Sequence, residues 1–209
     1  MKKDKLIFII LIFTLLIITL TFVKSPLNKI LKVNKFNETE FIESFKNKNI
    51  IICGNSPKFP ESFEKIKDLP NKFIIRFNTV LDHITENNQT DVLFVSQELL
   101  NFPKTDFNKW EQKCKKCKIY YIKELLQNNK KLNEINKNTK LNFTSGFVTI
   151  CYILNYTSNI TLVGFDLPDN YTTQANWFRG NVMYDGHNVT EEKKLLINLI
   201  NENNSIKRI

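Results

Sequence analysis

One block constrains the fold more than any other: residues 144–166, TSGFVTICYILNYTSNITLVGFD. It predicts a helix that opens on a small-residue turn, then a strand over Ile160 to Gly164, then a loop. Thr144, Ser145 and Gly146 stand where the helix begins. The first N–H groups of a helix have no intrahelical partner, and the helix dipole adds partial positive charge at that end. A carboxylate or a phosphate suits such a position.

The rest of the chain repeats the strand signal. Asn49 to Cys53 is a continuous apolar run closed by Gly54-Asn55-Ser56-Pro57. Further runs follow at Phe73 to Phe77, closed by Asn78, at Asp91 to Ser96 and at Lys118 to Ile122, with a short edge strand over Ile206 to Ile209. Unbroken apolar runs are the mark of strands covered on both faces. Polar or amphipathic segments separate them, including Glu124 to Asn136 and Ser145 to Tyr156, and a last helix spans about Val189 to Asn203. The expected fold is α/β, a Rossmann-like parallel sheet with helices on both faces. Ligands of such sheets bind at the carboxyl ends of the strands. Gly54-Asn55-Ser56, Asn78, Thr144-Ser145-Gly146 and Gly164-Phe165-Asp166 all fall there, although each alone reads more readily as an ordinary turn.

Upstream, Leu6 to Val23 is a run of 18 apolar residues and threonines without charge. As a helix it would be ~27 Å long, against a hydrocarbon core of ~30 Å. It ends in Phe22-Val23-Lys24-Ser25-Pro26 without a small-x-small cleavage pattern, so an uncleaved anchor is expected. The expected organisation is a cytoplasmic tail over 1–5, a transmembrane signal anchor over 6–23, a stem over 24–45 and a folded domain over 46–209. The formal net charge is +9; seven lysines and one aspartate in residues 1–35 supply +6 of it, which leaves +3. So mild a balance does not support nucleic-acid binding. The lysines flanking the span suit lipid headgroups.

Side-chain chemistry narrows the ligand. An asparagine amide donates and accepts at once, which suits a ribose hydroxyl or a pyrimidine edge. Neither G-x-G-x-x-G nor a Walker loop occurs, and there is no Asp-x-Asp to hold a metal on a pyrophosphate. A nucleoside monophosphate leaves with less charge and needs no metal. Of two histidines, His83 reads as a surface residue. His187 follows Tyr184-Asp185-Gly186 on a loop before the last helix, where a group of near-neutral pKa can serve as a general base or simply as a surface or capping residue. Glu192 or Asp185 can orient it; Glu192 can equally favour the helix amino end. Tyr171 and Tyr184 are possible hydroxyl donors to a leaving phosphate. Cys114 and Cys117 read as a local disulfide or two free thiols in preference to zinc, and Cys53 and Cys151 can pair in an oxidising lumen. Eight N-x-S/T sequons are present in this Asn-rich chain.

In this order, the residues resemble the sialyltransferases. Ile52-Cys53-Gly54-Asn55-Ser56 with Ile75-Arg76-Phe77-Asn78 resembles the large sialylmotif of glycosyltransferase family 29. Thr144 to Val148 through Val163-Gly164-Phe165 resembles the small sialylmotif, and His187-x-x-x-x-Glu192 has the spacing of the very small one. Tyr184 lies where the short third motif is expected, although Met183-Tyr184-Asp185-Gly186 departs from its usual pattern. The Thr-Ser-Gly form and the Gly186-His187 pair are also similar to the bacterial family 42. The resemblance implies a modified GT-A glycosyltransferase fold and inverting, metal-independent transfer of sialic acid from CMP-sialic acid, with no further cofactor. Asn55 and Asn78 would contact the CMP moiety, with Gly54, Ser56, Gly164, Phe165 and Tyr184 around it. Thr144, Ser145 and Gly146 would hold the donor, and His187 would take the proton of the acceptor hydroxyl. The implied partners are a CMP-sugar, a glycan acceptor on glycoprotein or glycolipid, and a lipid bilayer through residues 6–23, with no nucleic acid. The implied location is the Golgi membrane, single-pass type II, with the catalytic domain (46–209) lumenal. Two alternatives stand beside this: a non-catalytic membrane-tethered CMP- or glycan-binding relative, and a transferase using another CMP-linked acid sugar.

Overall fold

A computed structural model describes residues 32–54, 59–78, 90–97, 114, 116–127, 129–139, 143–165 and 189–209. The expected anchor over 6–23 lies outside them; among the described residues no helix is long and apolar enough to cross a membrane.

Six strands form one sheet: β1 (Asn49–Cys53), β2 (Lys72–Phe77), β3 (Val92–Val95), β4 (Lys118–Tyr121), β5 (Ile160–Val163) and β6 (Ile206–Arg208). Their order is β4-β3-β2-β1-β5-β6, and every neighbouring pair is parallel. The chain first builds outward from β1 to β4, then crosses to the other side of β1 for β5 and β6. That reversal makes the β1/β5 seam the topological switch point, the position at which sheets of this kind bind ligands. In register, Ile50, Ile51 and Ile52 of β1 lie between Phe73, Ile74 and Ile75 of β2 and Ile160, Thr161 and Leu162 of β5. The absence of polar alternation in these runs follows from this placement, because both faces of the sheet are covered.

The helices of the described residues are α1 (Glu38–Phe45), α2 (Phe59–Glu64), α3 (Glu124–Gln127), α4 (Lys130–Thr139), α5 (Ser145–Ile153) and α6 (Val189–Glu202). Successive strand residues point to opposite faces. Ile50 and Ile52 of β1, Phe73, Ile75 and Phe77 of β2, and Phe94 of β3 join a large core with α1, α3, α4, α5 and α6. Ile51, Cys53 and Ile74 turn to the other face and meet Phe59, Phe63 and Ile66. Each large apolar side chain so buried contributes roughly 1.5–3 kcal/mol. Eight of the nine residues of α5, Gly146 to Ile153, are buried, so this helix forms the centre of the larger layer.

The segment expected as a stem contributes to this core. Asn37 caps α1 by accepting from the Glu40 N–H at 3.2 Å, and Phe41 and Phe45 are buried. Just upstream, the Asn34 N–H donates to Ile119 O at 2.7 Å, and Asn34 Oδ1 accepts from Ile119 N at 2.9 Å. Residues 34–45 therefore cover the outer edge and one face of the sheet.

Alternation along β1 also settles one cysteine question. Cys53 sits in the smaller core and Cys151 of α5 in the larger, on opposite faces of the sheet, and both are free thiols. The pairing that the sequence left open for Cys53 and Cys151 is not made, because the sheet stands between the two residues.

Candidate functional site

The carboxyl ends of β1, β2 and β5 converge with the amino end of α5. At the β1/β5 seam the Gly54 N–H donates to Val163 O at 2.7 Å. A Cβ on Gly54 would lie 2.2 Å from the carbonyl oxygen of Gly164, so only glycine permits the two strand ends to approach this closely. Gly164 itself has φ +66°, a left-handed conformation, and its Cα packs against Phe59. Phe165 then turns its ring towards Phe77, with centroids 6.0 Å apart. Both rings lie against Gly146, where an added Cβ would come within 3.2 Å of each. The two rings form an apolar floor beneath the start of α5.

Asn78 closes β2 with φ +58°, a conformation asparagine tolerates better than most residues. Its backbone N–H donates to Phe94 O at 2.8 Å, and its side-chain oxygen accepts from the Ser96 N–H at 3.1 Å. These two bonds tie the ends of β2 and β3 together and aim the amide. Its Nδ2 is 3.4 Å from Ser145 Oγ, across 67 residues of sequence.

Thr144 is the N-cap of α5, its hydroxyl accepting from the Phe147 N–H. The same hydroxyl donates to the Glu192 carboxylate, which also accepts from the Thr144 N–H at 2.6 Å. Glu192 is 9% exposed, so this clasp between α6 and α5 is shielded from water, where charge-assisted bonds are strongest. The negative charge of Glu192, with burial as the larger cause, pushes the Cys151 thiol well above its ordinary range.

The geometry divides the residues expected from sequence. Gly54, Asn78, Thr144, Ser145, Gly146, Gly164 and Phe165 share one rim. Thr144 has both its amide and its hydroxyl engaged by Glu192, so it holds the helix end. Ser145 Oγ accepts from Asn78 Nδ2, and Ser145 and Gly146 form the first turn of α5. Glu192, expected to orient His187 or favour the α6 amino end, is bonded to Thr144. Asn55, Ser56, His83, Asp166, Tyr171, Tyr184, Asp185 and His187 lie outside the described residues. Among the described residues no three His, Cys, Asp or Glu side chains gather as metal ligands.

Sequence reading missed the Glu192–Thr144 clasp and the Phe77–Phe165 floor. No local signal carries the first, whose partners are 48 residues apart. The second had one trace: Phe77 and Phe165 both flank residues already singled out at strand ends.

No protein-family model matches this sequence. No curated protein matches it either. Solved structures similar to the chain are sialyltransferases of Campylobacter jejuni. The monofunctional alpha-2,3-sialyltransferase Cst-I is 18% identical over 78% of this chain and 76% of its own, with a TM-score of 0.45. CstII in complex with the substrate analogue cytidine-5'-monophosphate is 16% identical over 78% and 79%, with a TM-score of 0.44. An alpha-2,3-sialyltransferase in apo form is 18% identical over 78% and 76%, with a TM-score of 0.43. At such identities no residue correspondence, and no residue role, follows from the likeness.

Proposed function

We propose that this protein is a sialyltransferase-like glycosyltransferase of modified GT-A type, moving sialic acid or a related acid sugar from a CMP donor to a glycan hydroxyl. The observation that carries the reading is the convergence of Asn78, Ser145 and the α5 amino end at the β1/β5 switch point, above the Phe77–Phe165 floor. An amide that donates and accepts, beside helix N–H groups, suits a nucleoside and an anionic sugar together. Gly54 and Gly164 keep side chains out of the seam, so backbone can approach the ligand.

In the proposed reaction His187 takes the proton from the acceptor hydroxyl. The freed oxygen bonds to the anomeric carbon as the bond from that carbon to the CMP phosphate oxygen breaks, with inversion. CMP leaves with the electron pair, and no metal is required because a monophosphate carries less charge than a pyrophosphate. Asn55, Ser56 and Tyr184 are proposed to complete the donor site. His187 precedes α6 by two residues, and α6 is fastened to the rim through Glu192, which supports assigning the base to this loop. The proposed setting is a membrane tether through residues 6–23, with the folded domain on the lumenal side of the Golgi.

His187→Ala is expected to abolish transfer while CMP binding, measured by calorimetry on the detergent-solubilised chain, survives. Unchanged turnover rejects the assigned base. Hydrolysis assays with CMP- and UDP-sugars test the donor: preference for UDP-sugars rejects the reading, and CMP binding without transfer to any acceptor favours a binding relative.

A further inference from the structure

The turn that leads into β4 carries Cys114 and Cys117, far in sequence from the rim and unused by the proposed transfer. The Cys117 N–H donates to Cys114 O at 3.2 Å, a turn that brings the two residues together. Both are free thiols; Cys114 is 7% exposed and Cys117 half-buried, so the second is the one solvent reaches more readily. The neighbouring Cys117 thiol holds the Cys114 thiol below the ordinary range against the opposing effect of burial. The same proximity, with burial and the Asp91 carboxylate, raises Cys117.

Arg76 adds a second asymmetry. It is fully buried on β2, with its guanidinium 4.5 Å from the Phe59 ring centroid, and none of its nitrogens meets an acceptor among the described residues. Arg76 lies in register with Leu93, and Leu93 with Ile119, two residues beyond Cys117. The permanent positive charge of Arg76 favours a thiolate on Cys114. The Asp91 carboxylate, held by the Ile74 N–H at 2.8 Å, opposes a thiolate on Cys117, and Lys116 stands between the two cysteines in the chain.

We infer that Cys114 and Cys117 form a redox-modification site, an attacking and a resolving thiol that close into a local disulfide in exchange with a small-molecule disulfide. In the first step the Cys114 thiolate attacks one sulfur of the small disulfide. The S–S bond breaks, a mixed disulfide forms on Cys114, and one small thiolate leaves. Cys117 then loses its proton and attacks Cys114 Sγ, releasing the second small thiol. The protein gives up two electrons and two protons, and the small disulfide takes them. The site stands at the amino end of edge strand β4, whereas the sugar-nucleotide rim stands at the carboxyl ends of β1, β2 and β5. Closing it staples the entry to β4 without entering the rim.

Incubating the detergent-solubilised full chain with oxidised glutathione, followed by denaturation and maleimide counting of thiols by mass, tests this. Wild type is expected to lose two of its four thiols and the mass of two hydrogens. Cys117→Ser is expected to stop at one glutathione adduct on Cys114. Cys114→Ser should react at least about tenfold more slowly, since its remaining thiol lacks the stabilised thiolate. Retention of all four thiols, adducts settling on Cys53 or Cys151, or an equal rate in Cys114→Ser overturns the inference. The wild-type measurement decides even where a serine variant fails to fold.

Discussion

Helix α5 lives in two environments. At its carboxyl end Tyr152 and Ile153 are buried in an apolar layer, where Phe36, Phe41, Tyr120 and Tyr152 form a cluster with ring centroids 5.3–6.2 Å apart. One carboxylate, Glu38, accepts from both Tyr152 and Tyr156 at 2.6 Å, at the margin of that layer. At its amino end the same helix meets Glu192, Asn78 and the rings of Phe77 and Phe165. There, geometry rests on single hydrogen bonds and close backbone approach instead of volume. The contrast teaches that substitutions at the two ends should separate: at the carboxyl end they cost stability and spare ligand affinity, and at the amino end the reverse.

The largest expected effect tests the packed end. Phe41→Ala removes a ring that contacts six other aromatics and should cost about 3–5 kcal/mol in urea unfolding. The milder Phe41→Leu should cost about 1 kcal/mol and leave the Kd for CMP unchanged. A weakened Kd in Phe41→Leu breaks the separation.

Next comes the clasp. Glu192→Ala leaves the Thr144 N–H without its acceptor and should cost about 2 kcal/mol, together with a roughly tenfold loss of CMP affinity as the α5 amino end loosens. Loss of stability with unaltered CMP affinity would detach Glu192 from the site. Asn78→Gly keeps the left-handed backbone while deleting the amide, so stability should change by no more than about 1 kcal/mol. CMP affinity should fall about tenfold. Calorimetry beside urea denaturation reads both quantities, and an unchanged Kd removes Asn78 from the donor site.

The smallest effect is acidic. Hydrogen bonds from Tyr152 and then Tyr156 hold the Glu38 carboxyl below its ordinary value of 4.5. A folded pKa below the unfolded one contributes stability above the unfolded value, and that contribution is lost as pH falls through the folded value. Tyr156→Phe should therefore lower the unfolding free energy at neutral pH by a few tenths of a kcal/mol, discounted because the site is solvent-exposed, and the difference should vanish at strongly acid pH. A gap between variant and wild type that persists in acid contradicts the linkage.

What the sequence determined on its own was local. Asn49 to Cys53 and Ile160 to Gly164 read as buried strands because an unbroken apolar run cannot stay in water on either face, and Ser145 to Tyr156 read as a helix from its small-residue start; the structure forms the latter two over Ile160–Val163 and Ser145–Ile153. The glycines and Asn78 announced tight turns because their backbones tolerate left-handed conformations. Tertiary structure alone decided the order β4-β3-β2-β1-β5-β6, the separation of Cys53 from Cys151 by the sheet, the recruitment of Phe41 and Phe45 into the core, and the attachment of Glu192 to Thr144. Those outcomes join segments tens of residues apart, and which distant groups meet depends on how whole layers bury their surface together, a quantity that no short window of residues contains.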